Sequence, residues 1–130
     1  MILLDTHIWI WWVQGDPRLA EVQRDAIERE EGGVIGVSAI SCWEVALLHA
    51  RDRLELPVAV QTWMRLALAY PGVRPLDLTP EVAVAATHLP GALHRDPADR
   101  FLVATALHYG CPLVTSDQLL LAYDFVTTIG

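Results

Sequence analysis

A chain of 130 residues with 53% hydrophobic side chains can bury a core of its own, with no need of disulfides or a structural metal. Its longest apolar stretches, Ile8 to Val13 and Val82 to Ala86, fall well short of the roughly 18 residues of a membrane span, which excludes a helical membrane protein. The formal charge of −7, with nine arginines and no lysine, weighs against a nucleic-acid partner, because phosphate binding is driven by cationic side chains.

In chain order, Ile2 to Leu4 is a short buried strand that ends at Asp5, and Thr6 to Val13 is a helix rich in tryptophan. Asp16-Pro17 supplies an N-cap and a proline at the first helical position, so the next helix is expected from there to Glu31. Val34 to Val37 is a second strand, Ser38 to Arg53 an amphipathic helix, and Pro57 to Tyr70 another with proline at its start. Val73 to Leu76 is a weak strand. Helices are expected from Thr79 to about Leu89 and from Asp96 to Tyr109, the second stopped by Gly110. Pro112 to Thr115 is a strand, Asp117 to Ala122 a short helix, and Phe125 to Ile129 a last strand.

Gly32-Gly33, Pro71-Gly72 and Pro90-Gly91 read as turns inside one domain spanning residues 1–130, with no repeat or linker. Strands alternating with helices predict an α/β sandwich whose mostly parallel sheet is covered on both faces. The N-terminus carries no export signal and the two cysteines make no metal-spaced cluster, so a cytoplasmic protein with thiols acting as small hydrophobes is expected.

Four acids stand at helix starts, two of them directly after strands. Each has a bland reading. Asp5 and Asp117 occupy N-cap positions after Leu4 and after Leu113-Val114-Thr115-Ser116. Glu44 in Ser41-Cys42-Trp43-Glu44 matches a capping box. In Asp96-Pro97-Ala98-Asp99, Asp96 is a natural N-cap and Asp99 sits in the first turn, where the helix dipole favours it. The constellation says more than its members. In open α/β sheets ligands bind beyond the carboxyl ends of the strands, so acids placed there can converge. A converging set of carboxylates is repulsive unless it is protonated or holds a cation, and an all-oxygen set suits Mg²⁺ or Mn²⁺. Such a site performs phosphodiester hydrolysis. Setting aside Asp5, Glu44, Asp96, Asp99 and Asp117 brings the charge from −7 to −2, so much of the acidity belongs to one place.

Leu3-Leu4-Asp5-Thr6-His7, Ser38-Ala39-Ile40-Ser41-Cys42-Trp43-Glu44, His94-Arg95-Asp96-Pro97-Ala98-Asp99-Arg100 and Leu113-Val114-Thr115-Ser116-Asp117 resemble, in order and over nearly the whole chain, the PIN domain of VapC toxins. The resemblance implies a PIN-like three-layer α/β/α fold and Mg²⁺- or Mn²⁺-dependent cleavage of RNA. It also implies a homodimer and a small antitoxin bound over the active site. It makes Asp5, Glu44, Asp99 and Asp117 the catalytic and metal-binding acids, with Asp96 either a further ligand or a helix cap.

Thr6 and Ser116 flank acids and are candidates to hydrogen-bond a water or substrate, or simply to cap helices. Arg95 and Arg100 are candidates for phosphate contact, or for surface ion pairs. His7 and His94 suit an oxygen-rich site poorly, and a solvated loop is expected for His94. Trp9, Trp11 and Trp12 exceed what one helix face buries, so some are expected at an interface. Two other functions compete: a metal-dependent phosphatase, which would favour a second Asp where His7 stands, and a non-catalytic module whose Trp-rich face binds a protein.

Overall fold

The sheet is parallel throughout, with β1 (Ile2–Leu4) at its centre. The structure, a computed structural model, describes all residues 1–130. Its strands β1, β2 (Ile35–Ser38), β3 (Val73–Leu76), β4 (Leu113–Val114) and β5 (Thr128–Ile129) lie in the order β3-β2-β1-β4-β5. Leu3 pairs with Gly36 on one side and with Leu113 on the other. The chain therefore winds outward first one way and then the other. The crevice at the reversal, between β1 and β4, is where α/β sheets hold ligands.

Alternation along the strands separates two cores, as period-two geometry requires of a sheet covered on both faces. Ile2, Leu4, Ile35, Val37 and Val114 face one layer, built from α1 (Thr6–Gln14), α2 (Glu21–Arg29), α3 (Ala39–Ala50) and α4 (Val60–Leu68). Leu3, Leu76 and Leu113 face the other, where α6 (Pro97–Tyr109) and α7 (Gln118–Leu121) supply Leu102, Val103, Ala106 and Leu120. The short α5 (Pro80–Ala85) packs on α6 through Val82, Ala86 and Ala104. This is the expected three-layer α/β/α arrangement.

Local chemistry sets most helix boundaries. Thr79 caps α5 through Val82 N–H at 3.2 Å, and Asp96 caps α6 ahead of Pro97. Gly110 ends α6 at φ 62°, a left-handed conformation that costs glycine little and L-residues more. Several boundaries depart from the sequence expectation. Asp16 caps no helix. Its carboxylate binds Arg18 instead, closing a turn, and α2 opens later, where Gln23 accepts the Ala20 N–H at 2.9 Å. α4 begins at Val60 rather than Pro57, α5 ends at Ala85, and only Thr128–Ile129 of the expected last strand pairs with β4. No helix is long and apolar enough to cross a membrane.

The tryptophans of α1 are not all buried, as their number on one helix implies. Trp9 is fully buried and meets Trp63 edge-on, with ring centroids 5.1 Å apart. Trp11 and Trp12 are half-buried against the same core. The most exposed indole is Trp43, at 56%.

Candidate active site

Asp5 follows β1 and Asp117 lies three residues beyond β4. Because Leu4 and Val114 are partners in a parallel pair, the two acids emerge at one edge of the sheet. Glu44 comes from the second turn of α3, and Asp96 and Asp99 from the start of α6. All five carboxylates line one cavity of about 350 Å³ together with His7, Trp11 and Ser116.

Each acid has a fixed orientation. Asp5 is buried, its Oδ1 accepting the Thr6 N–H at 2.7 Å and its Oδ2 the Thr115 hydroxyl at 2.7 Å. The Thr115 oxygen in turn accepts the Asp117 N–H at 3.0 Å, so one hydroxyl joins both strand-end acids. Asp117 caps α7 through Leu119 N–H and Leu120 N–H. Glu44 does not close a capping box, since Ser38 caps α3 and Ser41 lies buried within it. The Glu44 carboxylate instead accepts the Thr6 hydroxyl at 2.5 Å. Asp96 accepts the Asp99 N–H at 3.0 Å, and Asp99 pairs with His94 Nε2 at 2.6 Å.

Burial pushes the Asp5 carboxyl above the usual carboxylate range, against the lowering effect of the Thr115 and Thr6 hydrogen bonds and of nearby His7. Glu44 is raised by burial and then by Asp5, Asp99 and Asp96, with the Thr6 hydroxyl opposing. Asp99 is raised by burial and by Asp96, Asp5 and Asp117, against the His94 contact. Carboxylates from four stretches of chain thus repel one another across one cavity, the condition under which a site takes up protons or a cation.

Whether a divalent cation suits this cavity is a question of donor chemistry. Five carboxylates give an oxygen set characteristic of Mg²⁺ or Mn²⁺, and neither nearby histidine is needed to complete it. No three acidic or histidine side chains close on a common point at ligand distance, because each acid is turned onto a protein donor. The residues fit the ion by type and by location.

The remaining candidates fall in different places. Ser116 is exposed at the cavity wall, available to a ligand. Thr6 is 1% exposed, and its hydroxyl contacts Ser41 and Glu44, so it orients an acid where a substrate contact was expected. Arg95 is exposed and precedes Asp96 in the chain, but it does not line the cavity. The Arg100 guanidinium donates to Ala86 O at 2.8 Å, Leu93 O at 3.1 Å and His94 O at 3.4 Å; it holds the 86–94 segment rather than reaching into the cavity. His94, expected on a solvated loop, touches Asp99. Thr115 had no sequence signal beyond its position two residues before Asp117. Its role needs the β1–β4 pairing to become visible.

An acid-lined crevice at the carboxyl edge of a parallel α/β sheet has counterparts of known kind. Residues 2–126 match the PIN domain family, and the chain belongs to it. Ribonuclease VapC22 of Mycobacterium tuberculosis is 38% identical over 119 residues, covering 92% of this chain and 88% of that one. Among solved structures, VapBC2 from Rickettsia felis bound to a promoter DNA fragment superposes with a TM-score of 0.71 at 16% identity, covering 98% of this chain and 97% of its own. A toxin–antitoxin complex from Klebsiella pneumoniae gives 0.65 at 17% identity, over 95% and 93% of the two chains.

Proposed function

We propose that this protein is a Mg²⁺- or Mn²⁺-dependent endoribonuclease acting as the toxin of a VapBC-type pair. The observation that carries the reading is the joint one: Asp5, Glu44, Asp99 and Asp117 reach a single cavity from four separate segments, in a chain 38% identical to a named ribonuclease. Asp5, Asp99, Asp117 and Glu44 hold the cation, with Asp96 at the rim. When bound, the ion supplies the positive charge that orients a phosphodiester, acidifies water and stabilises the leaving oxygen. Two hydrogen-bond donors converge on the Asp5 oxygens and fix the orientation of its carboxyl group, opposing in part the effect of burial. Thr6 keeps Glu44 aimed at the cavity, and Ser116 offers a hydroxyl to the substrate.

The partner reading follows from the same relatives. One solved neighbour is a toxin–antitoxin complex, and a small cognate antitoxin covering the acid cavity is proposed here as well. A homodimer is proposed across the adjoining surface, an apolar groove of about 590 Å³ formed by Ile40, Trp43, Leu47, Leu78 and Phe101, which shares Glu44 and Asp96 with the acid cavity. Exposed apolar patches of this kind mark association surfaces, and aromatic residues are enriched in them.

The test is cleavage of total cellular RNA by antitoxin-free protein, with and without Mg²⁺ or Mn²⁺, beside Asp5→Asn. Discrete fragments that need both the metal and Asp5 are expected. Metal binding without cleavage of any RNA would favour another phosphoester, as in a phosphatase. Absence of metal binding would return the acids to helix capping and favour a protein-binding module.

A further inference from the structure

Trp11 is the one apolar side chain in the wall of the acid cavity. It comes from α1, one helical turn beyond His7, whose exposed ring lies 6.0 Å away with the planes at 55°. Arg18 lies over the indole, its guanidinium carbon 5.2 Å from the ring centroid. That arginine is 69% exposed yet fixed in place: Asp16 takes its Nε at 3.1 Å and its Nη2 at 2.8 Å, and also its backbone N–H. An aromatic plane in the wall of the carboxylate cavity therefore has a second ring beside it and a held guanidinium over it.

Packing accounts for only part of this indole. Trp9 and Trp63 are buried in the core of this layer, whereas Trp11 packs against that core in part and leaves part of its ring in the wall of the acid cavity. Nor does a metal site call for an indole. We propose that Trp11, flanked by His7 and Arg18, is a stacking platform for one unpaired nucleobase adjacent to the phosphate that a cation bound by the acids would orient. Proteins that bind single-stranded nucleic acid stack bases on aromatic rings and on arginine planes, and base stacking tolerates any sequence because every base has a π face. The platform also answers the charge problem of the site. Carboxylates repel a polyanion, so an uncharged attraction beside the ion site is of use, and stacking on Trp11 supplies one, with Arg18 paired to Asp16 holding the indole in place. A cavity of about 350 Å³ is at the small end of ligand sites and accepts a single nucleotide unit.

The inference rests on the ribonuclease reading, and its test separates the two. Fluorescence anisotropy is measured in an Asp5→Asn background with Mg²⁺, using two labelled decamers of equal charge. One is a mixed-sequence single-stranded RNA, and the other is a chain of tetrahydrofuran spacers without bases. The RNA is expected to bind about tenfold more tightly than the spacer chain, the size of one stacked base. Trp11→Ala is expected to abolish that ratio while leaving spacer affinity intact, and Trp11→Phe to keep most of it, which also guards against a folding defect. An unchanged ratio in Trp11→Ala overturns the platform, as does an equal loss for both decamers. Equal binding of the two by the parent overturns the platform and leaves the nuclease reading standing. Failure of both to bind removes the nuclease reading and the platform with it.

Discussion

His94 Nε2 stands 2.6 Å from Oδ2 of Asp99, and the backbone carbonyl of His94 is itself held by Arg100 one residue further along α6. The carboxylate proposed to bind metal is thus oriented by a ring whose own position is fixed by a guanidinium. Loss of a partner of this outer kind commonly weakens metal binding by about 10–100-fold. Isothermal titration with Mn²⁺ is expected to show His94→Ala binding about tenfold more weakly than the parent. His94→Gln, which retains an N–H donor, is expected to recover part of the loss. Unchanged affinity in His94→Ala would leave the histidine without this role.

Arg100 and Arg95 part company on the same reasoning. A contact with nucleic-acid phosphate shows itself in the salt dependence of binding, because each neutralised phosphate releases counterions. Replacing Arg95 by Ala is expected to reduce the salt slope of RNA binding by about one, the signature of a single lost phosphate contact. Replacing Arg100 is expected to lower thermal stability and leave that slope alone, since its donors are committed to Ala86, Leu93 and His94 carbonyls. A slope change in Arg100→Ala would return it to the substrate.

The acids destabilise the fold that carries them. Folded Asp5, Glu44 and Asp99 all hold their protons to higher pH than they do in the unfolded chain. The folded state therefore binds more protons between the two sets of pKa values, and metal-free stability falls as pH rises from about 4 through the raised carboxylate range. Glu44→Gln keeps the acceptor for the Thr6 hydroxyl and removes the charge. It is expected to raise the melting temperature of the metal-free protein by about 2–4 °C at neutral pH while suppressing cleavage. A lower melting temperature in calorimetry would contradict the account.

Thr115 is expected to be intolerant of an isosteric change. Thr115→Val would leave Asp5 Oδ2 buried without its donor and the Asp117 N–H without its acceptor, a loss of about 1–3 kcal/mol. Thr115→Ser is expected to behave as the parent. Urea denaturation of the three proteins decides, and equal midpoints would show the hydroxyl to be dispensable.

Trp43 carries the dimer proposal. Light scattering is expected to report twice the chain mass for the parent and a single chain for Trp43→Glu, with little change in circular dichroism. A dimeric Trp43→Glu would move the interface elsewhere.

Much of this was legible in the residues. Asp5 and Asp117 follow strands, Asp96-Pro97 and Gly110 bracket α6, and the alternation of strands and helices gave a parallel α/β sheet. These are local signals, readable within a few residues. The elements that were misjudged answer to longer reach. Asp16 was drawn to Arg18 instead of to a helix, and Glu44 to Thr6, 38 residues away, instead of to its own helix start. Thr115 and His94 were missed for the same reason: a hydroxyl or an imidazole has no periodicity, and its meaning depends on what a distant strand or helix places opposite it.

The bond from Thr115 to Asp5 spans 110 positions of chain, and the strands beneath it are the first and the fourth to be synthesised. The acid cluster therefore cannot close while the ribosome is still translating most of the message. A product that terminates before residue 113 lacks both an acid and the strand that fixes Asp5, however well its earlier helices form. The site is thus among the last parts of the fold to become possible, closing only when β4 is present to pair with a strand made at the very start.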